Sequence, residues 1–181
     1  MEAVSNQISK LEPARTKTNV YAFPNQTRVQ VCGSSGSGKT AWVISYLNSY
    51  GLGDKGKNNG QYDIVIWVST PQSLKQKKLK LVQQAWGRYF FPIEVSGGIP
   101  AQLIDEKINM AHAEGWSTCI VIDDLVSMYK DKYLQELFVH SRHRGCSIFE
   151  LVQGVFHGTR SHRLNSGAYV LFDFPLRDEV V

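Results

Sequence analysis

Long apolar runs are missing from this sequence. The longest, Ile64–Val68 and Cys119–Ile122, are strand-sized and fall far short of the roughly 20 residues that a helix needs to cross a bilayer. Membrane spans are therefore excluded. The opening stretch Met1–Leu11 is polar and lacks the apolar core of a secretory signal. Cysteine is also scarce. Cys32, Cys119 and Cys146 are widely spaced, each beside apolar sequence, with no C-x-x-C pair and no His/Cys cluster at zinc spacing. They read as buried, reduced thiols of an intracellular protein. Neither an internal repeat nor a low-complexity segment is present.

The 181 residues are 43% hydrophobic and 11% aromatic with a net charge of +4, which excludes disorder as the dominant state. At roughly 150 residues per domain this is one domain, with room for an appendage. A chain of this length buries about 70% of its unfolded surface and needs no metal or disulfide staple. Residues 1–100 carry 12 Lys/Arg against 5 Asp/Glu, whereas residues 101–181 carry 8 against 11. Much of the basic excess sits in Lys75, Lys77, Lys78 and Lys80, spread around a helix. They read as a solvated face or as a contact to nucleic-acid phosphates.

Residues 1–22 are polar and read as an arm leading into a domain over residues 23–181. Arg28–Val31 is a short β-like run. From Lys39 to Tyr50 the apolar positions Trp42, Val43, Tyr46, Leu47 and Tyr50 predict an amphipathic helix. Gly51–Gly60 reads as a surface loop. Tyr62–Val68 has the nearly continuous β-branched and aromatic character of a strand buried on both faces. Thr70 and Pro71 open a helix with Leu74, Leu81 and Val82 on its apolar side, followed by a short strand over Phe90–Val95. Ala101–Glu114 reads as a helix stopped by Gly115. Strands follow over Thr118–Ile122, Ser147–Gln153 and Ala168–Phe172, with a helix over Tyr129–His140 between the first two. Strands alternating with helices predict an α/β fold with a mostly parallel sheet.

Gly33-Ser34-Ser35-Gly36-Ser37-Gly38-Lys39-Thr40 satisfies G-x-x-x-x-G-K-[ST] at every fixed position, between a β-run and an amphipathic helix. Such a loop turns several backbone N–H groups toward one concave space at a helix N-terminus, where phosphate oxygens bind. In this arrangement Lys39 serves the β- and γ-phosphates, and the Thr40 hydroxyl serves Mg²⁺. ATP and Mg²⁺ are the expected cofactors.

The strand Cys119–Ile122 ends in Asp123-Asp124, at the sheet edge where α/β proteins place ligands. Asp123 is the natural acidic partner for the metal. Asp124 is placed to orient or deprotonate a water. The competing reading is that both acids cap the following turn. The pair lies 84 residues after Lys39, with Tyr62–Val68 between, as in the RecA-like (ASCE) layout.

Gln153 ends the next strand, where it can sense a γ-phosphate or position the attacking water. Glu150 sits on the same face as Ile148 and Val152, where an unpaired carboxylate is costly, so it demands a cationic partner or a less buried strand. Arg142, His143 and Arg144 precede this strand, and Arg160, His162 and Arg163 follow it. Phosphoryl transfer gains from an arginine near the developing charge, and Arg142 and Arg163 are the first candidates.

Together these residues resemble the FtsK/HerA-type genome-packaging ATPases encoded by Polinton/Maverick elements, adintoviruses and related large DNA viruses. The similarity runs over roughly residues 20–178. It rests on Phe23-Pro24 leading into Arg28–Thr40, on Ile120–Asp124, and on Ser141-Arg142-His143 before Ser147–Gln153 and Phe156. It ends with Leu164-Asn165 and Tyr169–Asp178. The resemblance implies Lys39 and Thr40 as Walker A, Asp123 and Asp124 as Walker B, and Gln153 as sensor. It also implies a homo-oligomeric ring that translocates double-stranded DNA into a capsid, with a capsid or portal-type partner, in the host cytoplasm or nucleus or within the virion. The chain departs from the family at Gly154, at Glu150 and at Leu176 inside the Pro-Arg-Asp turn. It stops three residues after Asp178, so a core shortened at its C-terminus is expected. Another DNA-dependent ATPase, such as a helicase or transposition ATPase, and a nucleotide-dependent assembly scaffold remain as alternatives.

Overall fold

The computed structural model describes residues 22–51, 60–128, 130–154 and 159–172. Nearly all of the expected arm over 1–22 and of the Gly51–Gly60 loop, with Phe156 and the closing turn through Asp178, lie outside these residues. Six strands form one sheet: β1 (Arg28–Cys32), β2 (Ile64–Ser69), β3 (Phe90–Glu94), β4 (Thr118–Asp123), β5 (Cys146–Val152) and β6 (Ala168–Leu171). Their order is β3-β2-β4-β5-β1-β6, and every pairing is parallel. All six C-terminal ends therefore meet at one edge. Among the described residues no helix is long and apolar enough to cross a membrane.

Period-two alternation divides the sheet into two apolar faces. Val29, Val31, Val65, Trp67, Cys119, Val121, Phe149 and Leu151 pack on one side, against helices α1 (Lys39–Tyr46) and α3 (Lys77–Trp86). Ile64, Ile66, Val68, Ile120, Ile122 and Ile148 fill the other, beneath α4 (Ala101–Ala113) and α5 (Lys132–His140). The central strands β2, β4 and β5 are buried along their whole length. Their unbroken apolar runs in sequence have that cause. All three cysteines are buried and unpaired, and burial raises the Cys32 thiol to about 11 and the Cys146 thiol to about 12.

Three elements differ from the sequence expectation. The helix predicted over Lys39–Tyr50 is α-helical only to Tyr46 and finishes as a wider π-type turn, Leu47–Gly51. Gly51 packs so closely on the Trp86 indole that an added Cβ would lie 3.1 Å from the ring. The single helix expected after Thr70 is two pieces, α2 (Pro71–Leu74) and α3. Thr70 caps the first by accepting from Ser73 N, and Gln76, in an extended conformation, starts the second. The re-aimed helix buries Leu79, Val82 and Trp86. The third is α6 (Arg160–Asn165), which the sequence reading missed. It is capped by Thr159 but is too short and polar to show helical periodicity.

Helix α6 answers the demand made by Glu150. That carboxylate is buried in the sheet at 3% exposure, and His162, fully buried on α6, places Nδ1 2.7 Å from Glu150 Oε1. Gln30, its register neighbour on β1, donates to Glu150 Oε2 at 2.8 Å. The imidazole also stacks on Phe138 of α5 with ring centroids 4.5 Å apart. The strand is as buried as its sequence suggests, because a later helix brings the partner. His162→Ala leaves the carboxylate with a single donor and is expected to cost about 3–5 kcal/mol, read as a lowered urea midpoint. Replacing both members with apolar residues, Glu150→Met with His162→Leu, is expected to be far less damaging than the two single losses combined. Additive losses would show that the two side chains do not act as a pair.

Candidate functional site

The C-terminal ends of β1, β5 and β4 lie side by side, so three separate sequence motifs share one edge. After β1 the chain curls through Gly33–Gly38 into the N-terminus of α1. Gly33 N–H donates to Val152 O of β5 at 3.1 Å, and Trp42 N–H donates to Gly38 O at 2.9 Å. Two glycines are required here. A Cβ on Gly33 would lie 2.6 Å from Ser37 Oγ and 2.7 Å from Phe172 Cβ. Gly38 adopts φ +100°, a left-handed conformation that side chains rarely tolerate. The Ser37 hydroxyl is buried in the cradle without a hydrogen-bond partner.

Lys39, the first residue of α1, folds back onto the loop: its Nζ donates to Gly33 O at 2.6 Å and Ser34 O at 2.8 Å. Desolvation lowers its pKa, while Asp123 and Asp124 oppose that shift. Thr40 Oγ1 stands 3.4 Å from both carboxylate oxygens of Asp123. Asp123 ends β4 at 5% exposure. Burial, aided by the neighbouring Asp124 charge, pushes its carboxyl up to about 6 against the pull of Thr40 and Lys39.

Asp124 is exposed and takes φ +58°, a conformation that costs a non-glycine residue on the order of 1 kcal/mol or more. Ser73 of α2 holds it there, donating from Oγ to Asp124 Oδ2 at 3.0 Å. Ser69 Oγ donates to the Asp123 carbonyl at 2.8 Å. The side chains of the two acids thus meet Thr40 and Ser73, and the next α-helix, α5, is capped by Asp131.

These groups surround a cavity of about 260 Å³ lined by the phosphate loop, Asp123, Asp124, Gln153, Ser73, Gln76 and Lys78. Among the described residues its lining contains no aromatic side chain, and what lines it suits phosphate rather than a nucleobase. Backbone donors at a helix N-terminus and one lysine fit a polyphosphate. The hydroxyl and carboxylate of Thr40 and Asp123 are hard oxygen donors of the kind that Mg²⁺ takes. The residues present therefore fit a Mg²⁺-nucleotide.

The structure brings Gly33–Thr40, Asp123, Asp124 and Gln153 together and leaves the two arginines apart. Arg142 is exposed in the turn before β5, at the opposite edge of the sheet. A seven-residue strand of about 20 Å separates it from this chain's own cavity. Arg163, half-buried on α6, does not line the cavity either. Arg144 has a structural role, bridging to Asp105 of α4 at 2.7 Å. Sequence reasoning missed Ser73, Gln76 and Lys78. The available signal was Thr70-Pro71, which places the start of the next turn directly at the functional edge of β2. The strand between the phosphate-loop strand and the acidic strand is β5, which follows both in sequence, whereas β2 lies outside β4.

Asp123 titrates higher in the folded chain than its ordinary value of 3.8. Its ionisation therefore opposes folding: the penalty is absent below about pH 4 and fully present above about pH 6. In EDTA, Asp123→Asn is expected to be more stable than wild type at pH 7.5 by up to about 3 kcal/mol, and no more stable at pH 4. Urea melts at the two pH values measure this, and an unchanged midpoint at pH 7.5 would contradict it.

No protein-family model matches the chain, and no curated protein matches it. Solved structures do. The DNA-packaging ATPase B204 of Sulfolobus Turreted Icosahedral Virus superposes with a TM-score of 0.53 at 14% identity, covering 80% of this chain and 74% of that one. The cytoplasmic domain of EssC superposes with a TM-score of 0.57 at 12% identity, covering 91% of this chain and 35% of that one. The chain thus spans about a third of the EssC domain. Both likenesses are of fold, and with the parallel sheet and phosphate loop they establish an α/β, RecA-like P-loop domain.

Proposed function

We propose that this chain hydrolyses ATP with Mg²⁺ and, as a multimer, uses the reaction to move viral or transposon double-stranded DNA during packaging. One observation carries the nucleotide part. The phosphate loop with Thr40, the Asp123-Asp124 pair and Gln153 reach a single cavity from three separate stretches of sequence. A chance Gly/Ser-rich loop has no reason to acquire those neighbours. Support for the DNA part is the fold shared with B204, a viral DNA-packaging ATPase, together with the family resemblance of the motifs.

The chain's side chains divide the work. Loop amides and Lys39 hold the phosphates, and Lys39 exchanges its bonds to the Gly33 and Ser34 carbonyls for them. Thr40 and Asp123 hold Mg²⁺, which when bound neutralises phosphate charge. Asp124, clamped by Ser73, orients the attacking water and accepts its proton. Gln153, at the end of β5 between the two motifs, positions that water against the terminal phosphate. Because neither Arg142 nor Arg163 lines its own cavity, each is available to this reaction only from a neighbouring copy in a ring. A capsid or portal-type protein is the expected further partner.

ATP turnover with and without duplex DNA tests the proposal. Wild type is expected to be stimulated by DNA. Lys39→Ala and Asp124→Asn should each lose on the order of 10²-fold or more in kcat. Ser73→Ala should lower kcat roughly tenfold with KM unchanged, as expected for one hydrogen bond to a charged group. Turnover indifferent to DNA would contradict packaging, and tight ATP binding without turnover would favour an assembly scaffold.

A further inference from the structure

The four lysines that follow α2 do not share one environment. All four are exposed, but of them Lys78 alone lines the cavity, beside Gln76 and together with Lys39, Thr40 and Asp124. In the sheet order, β2 lies beyond β4 and β1 lies beyond β5. Lys39 therefore enters the cavity from the β1 side, and Lys78 enters from the β2 side.

We propose that Lys78 is a second phosphate-binding cation of this site, contacting the terminal phosphate of a bound nucleoside triphosphate from within the same chain. The inference rests on the triphosphate reading of the cavity and adds a residue to it.

Charge balance gives the first reason. Among the described residues the carboxylates lining the cavity are Asp123 and Asp124, and the cations are Lys39 and Lys78. Mg²⁺ held by Asp123 offsets only part of the charge of a triphosphate, and Lys78 adds a second side-chain cation beside Lys39. Local helix electrostatics give the second reason. Helix α3 is ten residues long and begins Lys77-Lys78, with no acidic residue in its first turn and no side-chain cap from Gln76. Cations at a helix N-terminus oppose the macrodipole, where anions are favoured. This helix start is therefore electrostatically unsatisfied on the side that faces the cavity, and a phosphate there relieves it.

Rigidity gives the third reason. The wall that carries Lys78 is anchored five residues earlier by the Ser73–Asp124 hydrogen bond of 3.0 Å. At the other end it is anchored by buried Leu79 and Val82. A flexible surface lysine spends much of its binding energy on ordering. Here the backbone on both sides of the residue is already fixed. The same hydrogen bond ties Lys78's wall to the acid that aims the water, so phosphate contact and Asp124 orientation are mechanically linked.

The experiment compares ATP and ADP affinities, in Mg²⁺ and by titration calorimetry on the full chain. Wild type, Lys78→Ala, Lys78→Arg and a Lys75→Ala/Lys77→Ala/Lys80→Ala control are measured. Lys78→Ala is expected to weaken ATP binding about tenfold while ADP affinity stays unchanged, because only ATP carries the terminal phosphate. Lys78→Arg should restore ATP binding to within about threefold. The triple variant should leave the ATP-to-ADP ratio as in wild type. Equal losses for ATP and ADP in Lys78→Ala, no loss at all, or the same selective loss in the triple variant would each overturn the inference alone. A wild-type chain that binds neither nucleotide would overturn the triphosphate reading and this inference with it.

Discussion

The arrangement of this protein depends on the parallel pairing of β1, β5 and β4. Parallel strands point the same way, so their C-terminal ends form one edge, and whatever follows each strand is delivered there. Gly33 leaves β1, Gln153 leaves β5 and Asp123-Asp124 leaves β4. These residues are separated by up to 120 positions in sequence, and the strand pairing brings them to one edge. The first bond of the phosphate loop, Gly33 N–H to Val152 O, extends the β1–β5 ladder. The cradle therefore begins as a continuation of the sheet.

Several features of this edge reduce stability locally and make sense only as parts of a site. Asp123 is held with its carboxyl raised to about 6, Asp124 occupies a left-handed conformation, and the Ser37 hydroxyl is buried unpartnered. Unfavourable local features of this kind persist where the surrounding fold over-determines them. Here the surroundings are the apolar runs of β2, β4 and β5, which supply a core on both faces of the sheet. The Glu150–His162 pair differs from them. It is a buried polar contact away from the cavity, in which Glu150 also accepts from Gln30 and His162 stacks on Phe138, and its role is to dock α6 onto the sheet.

Much of this was legible in the sequence because it is written locally. An unbroken run such as Ile64–Val68 announces a strand buried on two faces, and a glycine-rich loop ending in Lys-Thr between strand and helix announces a tightly curled turn into the helix. What escaped was set by contacts between distant residues. Beside the break between α2 and α3, Ser73 reaches Asp124, 51 residues away. The partner of Glu150 lies on a six-residue helix whose composition carries no period. Lys78 could not be told from Lys75, Lys77 and Lys80 by spacing, because which lysine meets the cavity depends on where α3 restarts. Arg142, grouped with other cations in sequence, falls at the far edge because it precedes β5 instead of following it.

The central claim is that this edge is a Mg²⁺-dependent nucleoside triphosphate site assembled from Thr40, Asp123 and the phosphate loop. Its most direct test is the heat of ATP binding to the full chain in Mg²⁺, repeated in EDTA and with Thr40→Ala. Saturable binding weakened at least tenfold both by EDTA and by Thr40→Ala is the predicted result. Binding of equal strength with and without Mg²⁺, or no binding in either buffer, would contradict it.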